Sequence, residues 1–222
     1  MIQGAIFDMD GVLVSNLEHH VRAWQRLGRE LGRDLAPDDI RRLFGRRNDE
    51  ILRGLIDPGL SSDQILPLGN RKEELYRAIM APELEPAEGL LEFLQHLRGS
   101  GIRLALATSA CPENVDLVLE GLKIGDYFDA VVTGADVTRS KPDPEIFLLA
   151  ARLLGLPAGR CIVFEDSTSG ITAACSAGCA CVALTTTHTE DELRSLPAIR
   201  SIPNFRGLTV YDLQEWAKTR PA

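Results

Sequence analysis

The chain is 222 residues long, 45% hydrophobic and 25% charged, with a formal net charge of −8; this suits a globular protein in which one domain of ordinary size is enlarged by an inserted second one. The acidic balance excludes a nucleic-acid surface, which needs clustered Lys and Arg to displace counterions from phosphates, and no apolar run approaches the roughly 20 residues that span a bilayer. A small anionic molecule remains compatible, because one divalent cation with a few basic residues reverses the field inside a cleft.

The opening residues MIQGAIFDMDG lack the basic start, long apolar stretch and cleavage site of a secretory signal, so a cytoplasmic location is expected, in a monomeric form. Residues 5–7 are the first of five short apolar runs, the others being 102–107, 130–133, 161–164 and 181–184. None alternates apolar with polar. Each reads as a strand covered on both faces, and the helical patterns between them predict a parallel sheet wound on both sides.

Residues 15 to about 82 break this rhythm, with no strand-like run. Leu17, Val21, Trp24, Leu27 and Leu31 recur at intervals of three or four before Gly32, the pattern of an amphipathic helix and its terminator. Further helices are expected over 37–44, 49–55 and 62–80. The predicted organisation is therefore an α/β, doubly wound core, residues 1–14 and 84–222, with an all-helical cap, 15–83, inserted after the first strand. That point is the carboxyl end of the sheet, where open parallel sheets bind ligands, and an insert there can serve as a lid. Beyond it, 86–98 presents Leu90, Phe93, Leu94 and Leu97 on one helical face and stops at Gly99–Ser100–Gly101; 144–154 is similar, ended by Gly155 and Pro157. A helix begins near Pro112, and another covers 168–177.

Five cysteines, Cys111, Cys161, Cys175, Cys179 and Cys181, are an odd count crowded into the second half, which argues against a disulfide framework. Cys175, Cys179 and Cys181 lack a matching fourth ligand for zinc and read as inert thiols packed like small hydrophobes.

Chemistry concentrates at strand ends. In Ile6–Phe7–Asp8–Met9–Asp10–Gly11 two carboxylates stand two apart directly after an apolar strand. They repel, so either a hard cation stabilises them or one is protonated; an acidic turn is the plain alternative. Thr108–Ser109 follows the second strand, Ser140–Lys141–Pro142–Asp143 the third, and Glu165–Asp166–Ser167 the fourth. Taken singly, Thr108 could cap a helix, Lys141 could be a solvated loop residue, and Ser167 or Asp166 could cap the helix after it. A second acid pair after a second apolar strand is, however, what a divalent site needs to complete its oxygen ligands.

With these four ordered motifs and the helical insert, the sequence resembles the haloacid dehalogenase-like superfamily over nearly its whole length, and within it the group of β-phosphoglucomutase and the sugar-phosphate phosphatases. The resemblance implies a Rossmann-like core, a small phosphorylated substrate and Mg2+ as cofactor, while charge and the apolar runs already argue against a nucleic-acid or membrane partner. It implies that Asp8 is the nucleophile and Asp10 the general acid and base. The side chains of Asp8 and Asp166 and the carbonyl of Asp10 would hold the metal, with Glu165 on a metal-bound water. Thr108, through its hydroxyl and backbone N–H, and Lys141 would bind phosphoryl oxygens, beside Ser109. Asn114 is a candidate for a substrate hydroxyl. In the cap, His20 corresponds to a histidine of the mutases, Gly45, Arg47 and Asn48 lie in a substrate-contacting loop, and Lys72 matches a cap lysine. The mutases have arginine where this chain has Asn48, a departure that favours a phosphatase over a mutase. A catalytically dead binding protein conflicts with the intact set Asp8, Asp10, Thr108, Lys141 and Asp166.

Overall fold

The computed structural model describes residues 1–219. Strand β1 (Gly4–Phe7) leads into four helices, α1 (Leu17–Glu30), α2 (Pro37–Arg41), α3 (Asn48–Leu55) and α4 (Ser62–Met80). The chain then alternates: α5 (Leu90–Gly99), β2 (Arg103–Ala107), α6 (Pro112–Leu122), β3 (Ala130–Val132), α7 (Glu145–Leu153), β4 (Cys161–Glu165), α8 (Thr168–Ser176), β5 (Ala180–Leu184), α9 (Glu190–Leu193), β6 (Arg200–Ile202) and α10 (Val210–Trp216). All strand pairs are parallel, in the order β3-β2-β1-β4-β5-β6. This is the doubly wound α/β sheet the apolar runs predict. The chain divides into two compact units, one of residues 16–84 and the other of the remainder.

The runs are continuous because both sheet faces are covered. Successive side chains on a strand point to opposite faces, and β1 divides accordingly. Ile6 joins Val163, Ala105 and the buried residues of α7 and α8 in one apolar layer. Phe7, one residue on, stacks on Phe164 of β4 at 4.8 Å, and Phe93 of α5 meets both rings edge-on. Phe205 joins them, 5.4 Å from Phe93. Each such ring contributes about 2–3 kcal/mol through burial.

Local chemistry moves two predicted boundaries. Helix α5 starts at Leu90, not at residue 86, because its N-cap is Gly89 at φ 78° and a Cβ there would collide with the backbone of Phe205 and Arg206. In the helical unit α2 ends at Arg41, short of the predicted 44, and the chain turns through Gly45 at φ 81°. Strand β6 is a further difference: its sequence Arg–Ser–Ile is three residues long, largely polar and at the sheet edge, so it carries no apolar run to announce it.

In residues 16–84, α1 packs against α4, each contributing buried faces: Val21, Trp24 and Leu27 from one, Leu75, Tyr76 and Met80 from the other. Helix α4 opens with a capping box between Ser61 and Gln64, which satisfies donors that the first turn leaves unpaired.

Candidate active site

Strands β1 and β4 are neighbours in register, Phe7 opposite Phe164, and the N–H of Asp8 donates to the Phe164 carbonyl at 3.0 Å. The residues that follow each strand therefore emerge side by side at the carboxyl edge. This is also where the strand order reverses, with β2 and β3 to one side of β1 and β4 to β6 on the other; the crevice at such a switch point is the usual ligand site of an open sheet. One carboxylate oxygen each from Asp8, Glu165 and Asp166 lie within 4.8 Å of one another, all three residues being buried.

Lys141 joins them from the loop after β3. Its ammonium donates to Asp8 Oδ1 at 2.8 Å and Glu165 Oε1 at 2.7 Å, and more weakly to the Ala107 carbonyl at 3.5 Å. The loop is tied down on both sides of the lysine. Asp143 donates its N–H to the Ser140 carbonyl and accepts from the N–H of Glu145, while the Glu145 carboxylate takes the N–H groups of Thr138 and Arg139.

Three carboxylates against one ammonium leave an excess of buried negative charge. Burial raises the Asp8 carboxyl to about 7, and Lys141 only partly opposes the effect, while Glu165 and Asp10 add to it. Asp166 is raised well above its ordinary value by burial and by the charges of Glu165 and Asp8. Lys141 moves upward, since the two acids outweigh its own burial.

Glu165 is fully buried and both of its oxygens are engaged. Oε1 takes Lys141, and Oε2 accepts from the N–H of Ser167 at 2.7 Å and from its hydroxyl at 2.9 Å. Ser167 also accepts from the Gly170 N–H, capping α8 as its position in the sequence suggests. A Cβ at Gly170 would overlap the Glu165 carboxylate, so this glycine is required for space.

The remaining predicted residues are placed as follows. Asp10 is half-buried just before Gly11, which turns the chain at φ 75°, and its side chain lies outside the three-acid group. Thr108 is buried beyond β2, but its N–H donates to the Val132 carbonyl at 3.0 Å. That corrects one expectation: the ladder occupies this N–H, so only the hydroxyl, which accepts from the Ala110 N–H at 3.2 Å, faces other work. Thr108 does not cap α6 either; Cys111 takes that position. Ser109 is exposed and Asn114 is buried in α6.

Among residues 16–84, Lys72 and His20 form a buried pair, Nζ to Nδ1 at 2.9 Å, with the imidazole stacked on Tyr76 at 4.0 Å and the ammonium over Trp24 at 5.3 Å. Glu73 completes the group, accepting from Lys72 and from the Asn48 amide, each at 2.8 Å. Burial alone would raise Glu73, but Lys72 and His20 together with these hydrogen bonds bring it down to about 2. Arg47 is exposed and paired with Asp49 at 3.1 Å; Gly45 is exposed at its turn.

Sequence reasoning missed Glu73, which had no signal beyond its place next to Lys72. It also missed Thr186, Thr187 and His188. The run Thr185–Thr186–Thr187–His188 directly after the fifth apolar stretch is the feature that offered a clue, since hydroxyls gathered at the carboxyl edge of a sheet face the same crevice as the acids.

Fold and acid cluster together define a doubly wound α/β protein with three buried acids gathered at the sheet's switch point. The chain belongs to the haloacid dehalogenase-like hydrolase family, whose model matches residues 5–184. It is 31% identical to a chloroplastic 5-amino-6-(5-phospho-D-ribitylamino)uracil phosphatase of Arabidopsis thaliana over 97% of its own length and 58% of that protein's, so it spans less than two thirds of this relative. It is 34% identical to a phosphorylated carbohydrates phosphatase of Thermotoga maritima, over 80% of this chain and 82% of the other. Among solved structures, the β-phosphoglucomutase of Clostridium difficile superposes with a TM-score of 0.86 at 26% identity, covering 98% of each chain.

A hard divalent cation fits the residues present. The donors are carboxylate oxygens, the type such ions take; they converge while buried, and Asp8 and Asp166 are raised first by that burial and then by the neighbouring carboxylates, which Lys141 only partly offsets. No helix of the described residues is long and apolar enough to cross a membrane.

Proposed function

We propose that the protein is a Mg2+-dependent phosphatase of small phosphorylated metabolites, acting through a phosphorylated Asp8. The observation that carries this reading is the Asp8 carboxylate itself, buried at the switch point and fixed on one oxygen by Lys141 within a cluster of acids. An oriented carboxylate is a competent nucleophile for phosphorus. Asp8 forms the new P–O bond as the ester P–O bond breaks, and Asp10 gives its proton to the departing oxygen. Water then attacks the acyl phosphate, Asp10 takes up the proton, and inorganic phosphate leaves. Lys141 and the Thr108 hydroxyl bind phosphoryl oxygens, with Ser109 and Asn114 as further polar contacts. Asp8, Asp166 and the Asp10 carbonyl would hold Mg2+, with Glu165 on a metal-bound water. When bound, the cation offsets the charge shared by phosphate and carboxylate, so that one anion can approach another.

Hydrolysis is favoured over isomerisation by the buried group of residues 16–84. A mutase must retain a bisphosphate, which asks for a strong uncommitted cation. Lys72 is matched by Glu73, and Asn48 spends its amide on the same carboxylate. His20, Gly45, Arg47, Asn48 and Lys72 are proposed as the specificity-determining set, suited to a hydroxylated tail. The test is a screen of the purified protein with Mg2+ against phosphate esters, following free phosphate and isomerised product together. Free phosphate from a sugar phosphate or related ester supports the reading. Rapid conversion of β-glucose 1-phosphate to glucose 6-phosphate without phosphate release makes it a mutase, and inertness toward every ester overturns both.

A further inference from the structure

The loop between β5 and α9, Thr185 to His188, contacts both acid-bearing segments of the site. The Thr187 hydroxyl donates to Asp166 Oδ2, the Thr186 hydroxyl donates to the Gly11 carbonyl at 2.5 Å, and His188 Nδ1 lies 3.2 Å from the Asp166 carbonyl. Gly11 belongs to the turn that carries Asp8 and Asp10. The three partners are also packed on each other: a Cβ on Gly11 would overlap Asp166 Oδ2 and reach within 3.0 Å of Thr187 Oγ1.

Asp166 is 2% exposed, and among the described residues Thr187 is the sole donor to its carboxylate. A buried carboxylate held by nothing swings between rotamers and presents either oxygen. A hydroxyl bound to one oxygen fixes the plane of the group. Threonine suits the task because branching at Cβ restricts χ1 and so holds the hydroxyl in place. Partners of this kind typically alter metal affinity by about 10–100-fold when removed, because they orient the ligand before the ion arrives.

We propose that Thr187 is a positioning residue for Asp166, and that the Thr185–His188 loop clamps the two acid-bearing segments into the arrangement that accepts a divalent cation. The inference rests on the divalent-cation reading of the site given above.

The experiment measures Mn2+ binding to the full chain without substrate, by the loss of the free-ion electron paramagnetic resonance signal. Thr187→Val keeps shape and removes the hydroxyl; Thr187→Ser keeps the hydroxyl. The expected result is Mn2+ affinity about tenfold weaker in Thr187→Val and within about threefold of wild type in Thr187→Ser, with unchanged melting temperatures in EDTA. Affinity within about twofold of wild type in Thr187→Val overturns the proposal. So does a Thr187→Ser protein as weak as the valine variant, which would assign the effect to packing. If Thr187→Val does not fold, Thr187→Ala carries the same expectation. Wild-type protein that binds no Mn2+ overturns the cation reading itself, a result distinct from the other two.

Discussion

The ammonium of Lys141 sits 2.7 Å from Glu165 Oε1, with the two side chains 7% and 0% exposed. Because Glu165 is held from behind by Ser167 and by the close approach of Gly170, the lysine is aimed at Asp8 by a rigid support. Glu165→Gln keeps the volume and removes the charge. The expected outcome is a fall in kcat of about 100-fold, the size typical of a misplaced reactive group, with KM less affected and the circular dichroism unchanged. An unaltered kcat would separate Glu165 from the chemistry.

Space behind that glutamate is a second test. Gly170→Ala places a methyl group onto the Glu165 carboxylate, and neither can retreat into the packed layer without moving α8. A loss of about 1–3 kcal/mol in urea unfolding is expected, in line with other overpacked cores, and turnover should fall with it. Full stability in the alanine variant would show that α8 yields easily.

The proposed nucleophilic role makes a sharper demand on Asp8. Asp8→Asn removes a buried charge whose pKa burial already raises, so the fold should persist and the chain in EDTA should be at least as stable as wild type. Turnover should fall by about 10⁴-fold or more. Beryllofluoride should stabilise the wild type thermally and leave Asp8→Asn unmoved; turnover retained by the folded asparagine variant would remove Asp8 from the mechanism.

In the proposed function, metal and proton compete at the same acids. Between the ordinary aspartate value of 3.8 and about 7 the folded chain keeps a proton on Asp8 that the unfolded chain has released; Asp166 acts in the same direction. Protons held in excess by the native state make stability fall as pH rises. In EDTA the melting temperature should therefore decline across that window. Mg2+ should reverse the decline, raising the melting temperature more above about pH 7 than near about pH 4, and restore turnover that EDTA abolishes. Equal stabilisation by Mg2+ at both ends of the window would detach the ion from these carboxylates.

Residues 16–84 carry the opposite sign. Glu73 falls from 4.5 to about 2 on folding, so its contribution is complete above the unfolded value and is lost as pH drops from about 4.5 through 2. Glu73→Gln strands the buried Lys72 charge and should cost about 3 kcal/mol at neutral pH, typical of breaking a buried pair. It should also flatten the acid limb of the stability curve. Identical acid titrations of variant and wild type would mean that the pair contributes nothing.

The sequence showed the sheet because burial on both faces leaves uninterrupted apolar runs, as in β4 and β5, and it located the acids because strand ends at a switch point gather them. β6 escaped because an exposed edge strand needs no such run. The engaged N–H of Thr108 also escaped, since whether a residue just past a strand still pairs with its neighbour depends on the adjacent strand's length. Glu73 and Thr187 were illegible for a different reason. Each acts by holding another residue, and nothing in the identity of a surface-type Glu or Thr reveals which partner the fold brings within reach.

The central position of β1 has a consequence for synthesis. β1 is synthesised before both of its sheet neighbours, β2, which begins at Arg103, and β4, which begins at Cys161. Its acids gain their lysine only after residue 141 and their clamp only after residue 187. A nascent chain that ends just past Lys141 thus contains Asp8 and Asp10 without Glu165 or Asp166, and a ribosome-bound series of increasing length should become able to bind Mn2+ in one late step, not gradually.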